Sequence, residues 1–225
     1  ETVKVSVERT SSSMPEQRAL TGLHIVVVDD SEMNLMVARR LLESQGARVT
    51  LCPSGQDALD QITNDPAQFD LVLMDVQMPG LDGCETTRRL RVHHAARSLP
   101  VLALTAGATL AEREQALEAG MDGFLTKPID PVQLVRSVRT QIDRTKSRPL
   151  PVVSFTADDV PSNDDWPEIA GIDMPAVRHR LAGDMDLFCN LIDRFLAESA
   201  ELLEHVVTAV SEGNRASANA ILHRL

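Results

Sequence analysis

Acidic, hydroxyl and ammonium side chains fall at the ends of short apolar runs in this sequence. Asp29 and Asp30 close the run 25–28, Asp75 closes 71–74, Thr105 closes 101–104, and Lys127 follows 123–125. If those runs are parallel strands of one sheet, all five residues converge on the carboxyl edge, where open α/β sheets bind ligands. Three carboxylates at such close quarters repel one another. They are stable together only around an oxygen-preferring divalent cation, for which Mg2+ is the natural candidate. Lys127 adds a compact positive charge and Thr105 a hydroxyl donor, which together suit the outer oxygens of a phosphoryl group seated on Asp75. The chemistry implied is phosphoryl transfer. Singly, each residue has an ordinary reading: Asp30 and Ser31 as a helix cap, Asp75 as a turn cap, Lys127 as a solvated charge. The combination, in order at successive strand ends, outweighs those readings.

The elements that must position these groups are legible as alternating patterns. Runs 25–28, 48–51, 71–74, 101–104 and 123–125 are short and apolar, and helical stripes lie between them, such as Val37, Ala38, Leu41, Leu42 and Leu134, Val135, Val138, Ile142. Strands alternating with helices predict parallel pairing through crossover connections, a flavodoxin-like (βα)5 doubly wound α/β unit over residues 23–144. Residues 1–22 read as a strand remnant (Val3, Val5, Val7) and a Ser-containing linker. A second linker, 145–170, carries Pro149, Pro151, Pro161 and Pro167. Beyond it, Leu187, Phe188, Leu191, Ile192, Phe195, Leu196, Leu202, Leu203, Val206, Val207 and Val210 recur at helical spacing, Gly213 and Asn214 interrupt, and another helix starts near Arg215. Residues 171–225 are therefore expected to be part of an antiparallel all-α bundle. An incomplete bundle leaves an apolar face uncovered, and poor folding or self-association is expected there.

Composition narrows the function further. With 22 basic and 33 acidic residues the net charge is −11, which disfavours a nucleic-acid-binding surface. No apolar stretch approaches the roughly 20 residues of a membrane span, and no signal peptide is apparent. Cys52, Cys84 and Cys189 are scattered without a CxxC pair, so neither a disulfide framework nor a zinc site is expected, and a reducing cytoplasm fits best. A Walker-type GxxxxGK is absent. The start at Glu1 suggests excision from a longer protein, with any membrane anchor in the parent.

The stretches VVVDDSEMN, LVLMDVQMPGLDG, ALTA and GMDGFLTKPID resemble the receiver domain of response regulators over residues 23–143, particularly receivers inside hybrid sensor histidine kinases. The resemblance implies that Asp75 is the phospho-accepting aspartate, that Asp29 and Asp30 hold Mg2+ directly or through water, and that the main-chain carbonyl of Gln77 is the third protein ligand. It implies that Thr105 is the switch hydroxyl, Lys127 the phosphate-binding lysine, Phe124 the aromatic that reorients with Thr105, and Pro128 a proline following the lysine through a cis bond. Farther on, the GID opening at Gly171, the FxxLIxRFL pattern from Phe188 and the terminal AILHRL resemble the histidine phosphotransfer domain. There His223 matches the phosphorylated histidine and Leu225 the third position of its HxLKG stretch. His24, His93, His94, His179 and His205 are expected in surface or packing roles. The implied partners are an upstream histidine kinase module, whose ATP-binding domain the 3–8 strand resembles at its end, and a downstream response regulator. Two rivals remain. A dehalogenase-type phosphatase expects DxD at the nucleophile, whereas the second acid is replaced here by Gln77, and a receiver-like docking module would not need the intact acid pair, threonine and lysine.

Overall fold

The computed structural model describes residues 18–93, 98–107, 109–146 and 166–211. The expected strand at 3–8, His94, most of the second linker, the helix near Arg215 and His223 lie outside the described residues.

Five strands form one parallel sheet: β1 (His24–Val28), β2 (Arg48–Cys52), β3 (Leu71–Asp75), β4 (Val101–Thr105) and β5 (Gly123–Thr126). Their order is β2-β1-β3-β4-β5, with β1 and β3 adjacent at the switch point. The helices between them are α1 (Glu32–Ser44), α2 (Gly55–Asn64), α3 (Gly83–Val92), α4 (Leu110–Glu118) and α5 (Pro131–Lys146). Strands β1, β3 and β4 are buried along their whole length, because helices cover both faces. Side chains alternate across the pleat. Ile25, Val27, Leu71 and Leu73 face α1 and α5, where Leu42, Leu134, Val138 and Ile142 complete one core. Val26, Val28, Val72 and Met74 face α2, α3 and α4, where Ala58, Ile62, Leu90 and Ala116 complete the other. Each fully buried Leu, Ile or Val contributes about 1.5–3 kcal/mol, so these two layers fix the strand ends that carry the polar groups.

Local sequence sets where each helix begins. Ser31, Ser54 and Asp82 accept from backbone N–H groups in the first turns of α1, α2 and α3. Thr109 and Glu112 form a reciprocal capping box on α4. Between β3 and α3 the chain turns at Gly80 with φ +78°, a conformation that glycine adopts without steric cost. Gly83 opens α3 against β3 so tightly that a Cβ there would collide with the carbonyl of Asp75.

Two further helices follow, α6 (Met174–Arg180) and α7 (Met185–Ser211). Asp173 of the GID opening caps α6 by accepting from the Ala176 N–H at 3.1 Å. Met174, Leu181, Leu187 and Phe188 are buried together, with Trp166 stacked on Phe188 at 5.1 Å and Met36 and Val37 of α1 packed alongside. The sequence pattern led to an uncovered apolar face on this segment. The structure covers the N-terminal part of α7 with α6, Trp166 and α1, because Met36 of α1 packs on this cluster and Val37 bridges it and the sheet core. Farther along α7, Phe195, Leu196, Leu203 and Val207 are each more than half exposed. Among the described residues no helix is long and apolar enough to cross a membrane.

Two outcomes follow for stability. Gly83→Ala forces the β3–α3 junction apart and lowers unfolding free energy by about 1–3 kcal/mol, read as a lower urea midpoint. His24, buried at the start of β1, donates from Nδ1 to the Gln68 carbonyl, so its Nε2 accepts from the Thr50 hydroxyl. Burial, aided by the charge of Arg48, pushes its pKa below the ordinary value, against the Gln68 carbonyl and Asp70. The unfolded chain therefore takes up this proton first as pH falls. Stability present at neutral pH is lost as pH drops below about 6.5, and His24→Gln flattens that part of the urea-midpoint profile.

Candidate functional site

At the carboxyl edge of the sheet, β1 and β3 end side by side and deliver Asp29 and Asp75 almost fully buried, at 1% and 5% exposure. Asp30 follows on the exposed side, and carboxylate oxygens of Asp29, Asp30 and Asp75 all lie within 4.8 Å of one another. Lys127, just past β5, donates from Nζ to Asp29 Oδ2 at 2.6 Å and to Asp75 Oδ2 at 2.7 Å. The peptide bond that follows it, Lys127–Pro128, is cis. Four of the five strand-end residues singled out from sequence thus meet in one cluster, although Lys127 is separated from Asp29 by 98 positions.

The remaining oxygens are held locally. Asp29 Oδ1 accepts from the Ser31 N–H at 3.0 Å and from Asn34 Nδ2 at 2.9 Å. Asp75 Oδ1 accepts from the Gln77 N–H at 3.2 Å, which brings the Gln77 main chain beside the carboxylate. Asn34 was not assigned from sequence. Its signal was present in its place on the first turn of α1, where a side chain points back over the preceding loop.

Thr105 ends β4 and is buried, and its hydroxyl is bonded to Gly107: it donates to the Gly107 carbonyl at 2.5 Å and accepts from the Gly107 N–H at 3.2 Å. Phe124 on β5 is 38% exposed, with the Arg113 guanidinium of α4 over its ring at 4.2 Å. These two residues are near the acidic cluster without joining it. Among the other histidines, His24 packs in the sheet, His93 ends α3, His179 bonds Asp130, and His205 is exposed on α7.

The electrostatics favour a cation. Two like charges about 4 Å apart repel by about 4 kcal/mol at an effective dielectric constant near 20, and this cluster contains three. Burial is the largest effect on Asp75 and raises its pKa. The Lys127 bond and charge oppose this, the Asp29 charge reinforces it, and the Gln77 N–H opposes it. Burial disfavours the Lys127 ammonium, but Asp29 and Asp75 outweigh that and hold its pKa above the ordinary value. One ammonium against three carboxylates leaves a surplus of negative charge on an all-oxygen donor set, which suits a hard divalent ion.

Comparisons with known proteins agree with this geometry. Residues 25–139 match the response regulator receiver domain family. Over 137 residues the chain is 41% identical to the sensor histidine kinase GacS of Pseudomonas protegens, covering 60% of this chain and 15% of that protein. It is 39% identical over 140 residues to probable histidine kinase 4 of Oryza sativa, covering 53% of this chain and 14% of that protein. Among solved structures, the receiver domain of sensor histidine kinase PA1611 from Pseudomonas aeruginosa, with a magnesium ion in its active site cleft, matches 54% of this chain and 98% of its own. The identity is 37% and the TM-score 0.51. The receiver of the Arabidopsis thaliana histidine kinase CKI1, complexed with Mg2+, is 32% identical with a TM-score of 0.51, covering 56% of this chain and 96% of that one. The acidic cluster is consistent with the Mg2+ that those receivers hold. The match over residues 25–139 spans half of the chain, which therefore belongs to the response regulator receiver domain family of two-component phosphorelay signalling, with homologues among the receivers of histidine kinases.

Proposed function

We propose that Asp75 accepts a phosphoryl group from the phospho-histidine of an upstream kinase module and passes it onward to a histidine of a phosphotransfer domain, His223 of this chain or its counterpart in a partner. The observation that carries this reading is Lys127 reaching both Asp29 and Asp75, which stations a mobile cation where the outer phosphoryl oxygens would lie. In the first transfer an Asp75 carboxylate oxygen attacks phosphorus in line with the imidazole nitrogen; the new O–P bond forms as the N–P bond breaks, and the imidazole leaves. Asp75 Oδ1 keeps the Gln77 N–H, which orients the carboxylate for attack. Lys127 exchanges a carboxylate partner for a phosphoryl oxygen, and Thr105 turns from the Gly107 carbonyl to donate to another. The residues that would hold Mg2+ are Asp29, Asp30, Asp75 and the Gln77 carbonyl, with Asn34 keeping Asp29 oriented. When bound, the ion would neutralise the carboxylates and the charge that develops on the phosphoryl oxygens.

The acyl phosphate then passes to a histidine nitrogen by the reverse exchange of bonds, and from there to a separate response regulator. For residues 171–225 the N-terminal part of a phosphotransfer bundle is the reading that the GID opening, capped by Asp173 on α6, and the FxxLIxRFL pattern within α7 support. His223 enters through the terminal AILHRL resemblance alone. In this arrangement residues 23–144 are the receiver and 145–170 the connection.

Three outcomes test it. Acetyl phosphate with Mg2+ adds one phosphate to the intact chain, measured by mass and removed by hydroxylamine, and adds none to Asp75→Ala. Lys127→Ala slows that phosphorylation by about 100-fold while the fold, checked by circular dichroism, persists. Mg2+ at about 100 times its dissociation constant stabilises the chain by about 2.7 kcal/mol in urea titration, and Asp29→Asn loses most of that gain.

A further inference from the structure

The two loops that border the acidic cluster are also where the C-terminal helices attach. Glu32, the first residue of α1, pairs with Arg194 of α7 at 2.6 Å. Asp130, in the β5–α5 loop three residues past Lys127, accepts from His179 Nε2 of α6 at 3.0 Å, while its other oxygen caps α5 through the Gln133 N–H. Between these two points Trp166, Met36, Val37 and Phe188 share one apolar cluster, and Ala182 packs on the core under α1 and α5. The α6–α7 unit therefore spans from the start of α1 to the β5–α5 loop, with a polar anchor at each end.

Lys127 braces the same two loops from inside, through its bond to Asp29. We propose that the α6–α7 unit is a releasable strap matched to that braced spacing, and that phosphorylation of Asp75 weakens its docking. The idea rests on the phosphoryl transfer proposed above. When Lys127 leaves a carboxylate for a phosphoryl oxygen, the β5–α5 loop is no longer tied to Asp29 in the same way, and the spacing between Glu32 and Asp130 changes. An anchor at each end fits only one such spacing. The strap is also lightly held. Glu32 is 69% exposed in its pair, and Met36 and Val37 are only half-buried. Arg194 is 34% exposed, and His179 and Asp130 are 37% and 33% exposed, so both anchors are partly open to water and individually modest, and a modest displacement is enough to release them. Trp166 Nε1 is buried without a hydrogen-bond partner among the described residues, which further weakens the docked state.

The chain's single tryptophan, Trp166, reports on the contact directly. In the full chain, acetyl phosphate with Mg2+ shifts Trp166 emission to the red and raises its quenching by acrylamide, and does neither in Asp75→Ala. Linkage requires the reverse effect as well: Arg194→Ala combined with His179→Ala binds the phosphoryl mimic beryllium trifluoride with Mg2+ at least about fivefold more tightly than the native chain. Arg194→Lys returns part of the native affinity, and Arg39→Ala, which removes an exposed pair elsewhere on α1, changes nothing. Intact mass separates the two ways of failing. Phosphate on Asp75 with unchanged Trp166 emission and unchanged beryllium trifluoride affinity in the double variant overturns the strap and leaves the phosphoryl-transfer reading standing. Absence of phosphate on Asp75 in the folded chain overturns that reading, and the strap with it.

Discussion

Lys127 holding Asp29 and Asp75 together is the contact on which the rest of the site depends. Two nearly buried carboxylates on adjacent strands would repel each other, and a third, Asp30, lies within reach of both. The ammonium makes that arrangement tolerable and, because it sits on a flexible stem, can change partners when charge arrives. The geometry is therefore poised. Its resting state is satisfied by the ion pairs of Lys127 with Asp29 and Asp75, and in the proposed transfer a phosphoryl group takes the place of one of them.

The sheet fixes where those groups sit. Complete burial of β1, β3 and β4 fixes the positions of their last residues, and Gly83 lets α3 begin against the Asp75 carbonyl without displacing it. What remains adjustable lies at the periphery. Thr105 is held by Gly107 rather than by the cluster, and Phe124 lies outside the core under Arg113. Neither is bonded to the acidic cluster, so the fixed strand ends and these peripheral side chains are separate parts of the site.

The C-terminal helices extend the same logic. They rest on α1 and the β5–α5 loop through partly buried apolar residues and two partly exposed polar pairs rather than through a deep core. A contact of that quality is stable enough to form and weak enough to be coupled to an event at the neighbouring loops. Farther along α7, Phe195, Leu203 and Val207 are exposed apolar side chains.

The sequence by itself determined the sheet and the chemistry of its edge. Alternating apolar runs and helical stripes are local signals, and a parallel sheet leaves few places for residues that end its strands, so Asp29, Asp75, Thr105 and Lys127 could be placed at the carboxyl edge of the sheet without coordinates. The rest depended on the tertiary structure, because it rests on contacts between residues with no periodic relation. The partner of Asn34, the bonding of the Thr105 hydroxyl to Gly107, the guanidinium over Phe124 and the docking of α7 on α1 are all of this kind. Val37 shows the boundary well. Its helical spacing placed it on one apolar stripe with Ala38, Leu41 and Leu42, and it does pack against the sheet core, but only the arrival of a second packed element made it also a contact for the C-terminal helices.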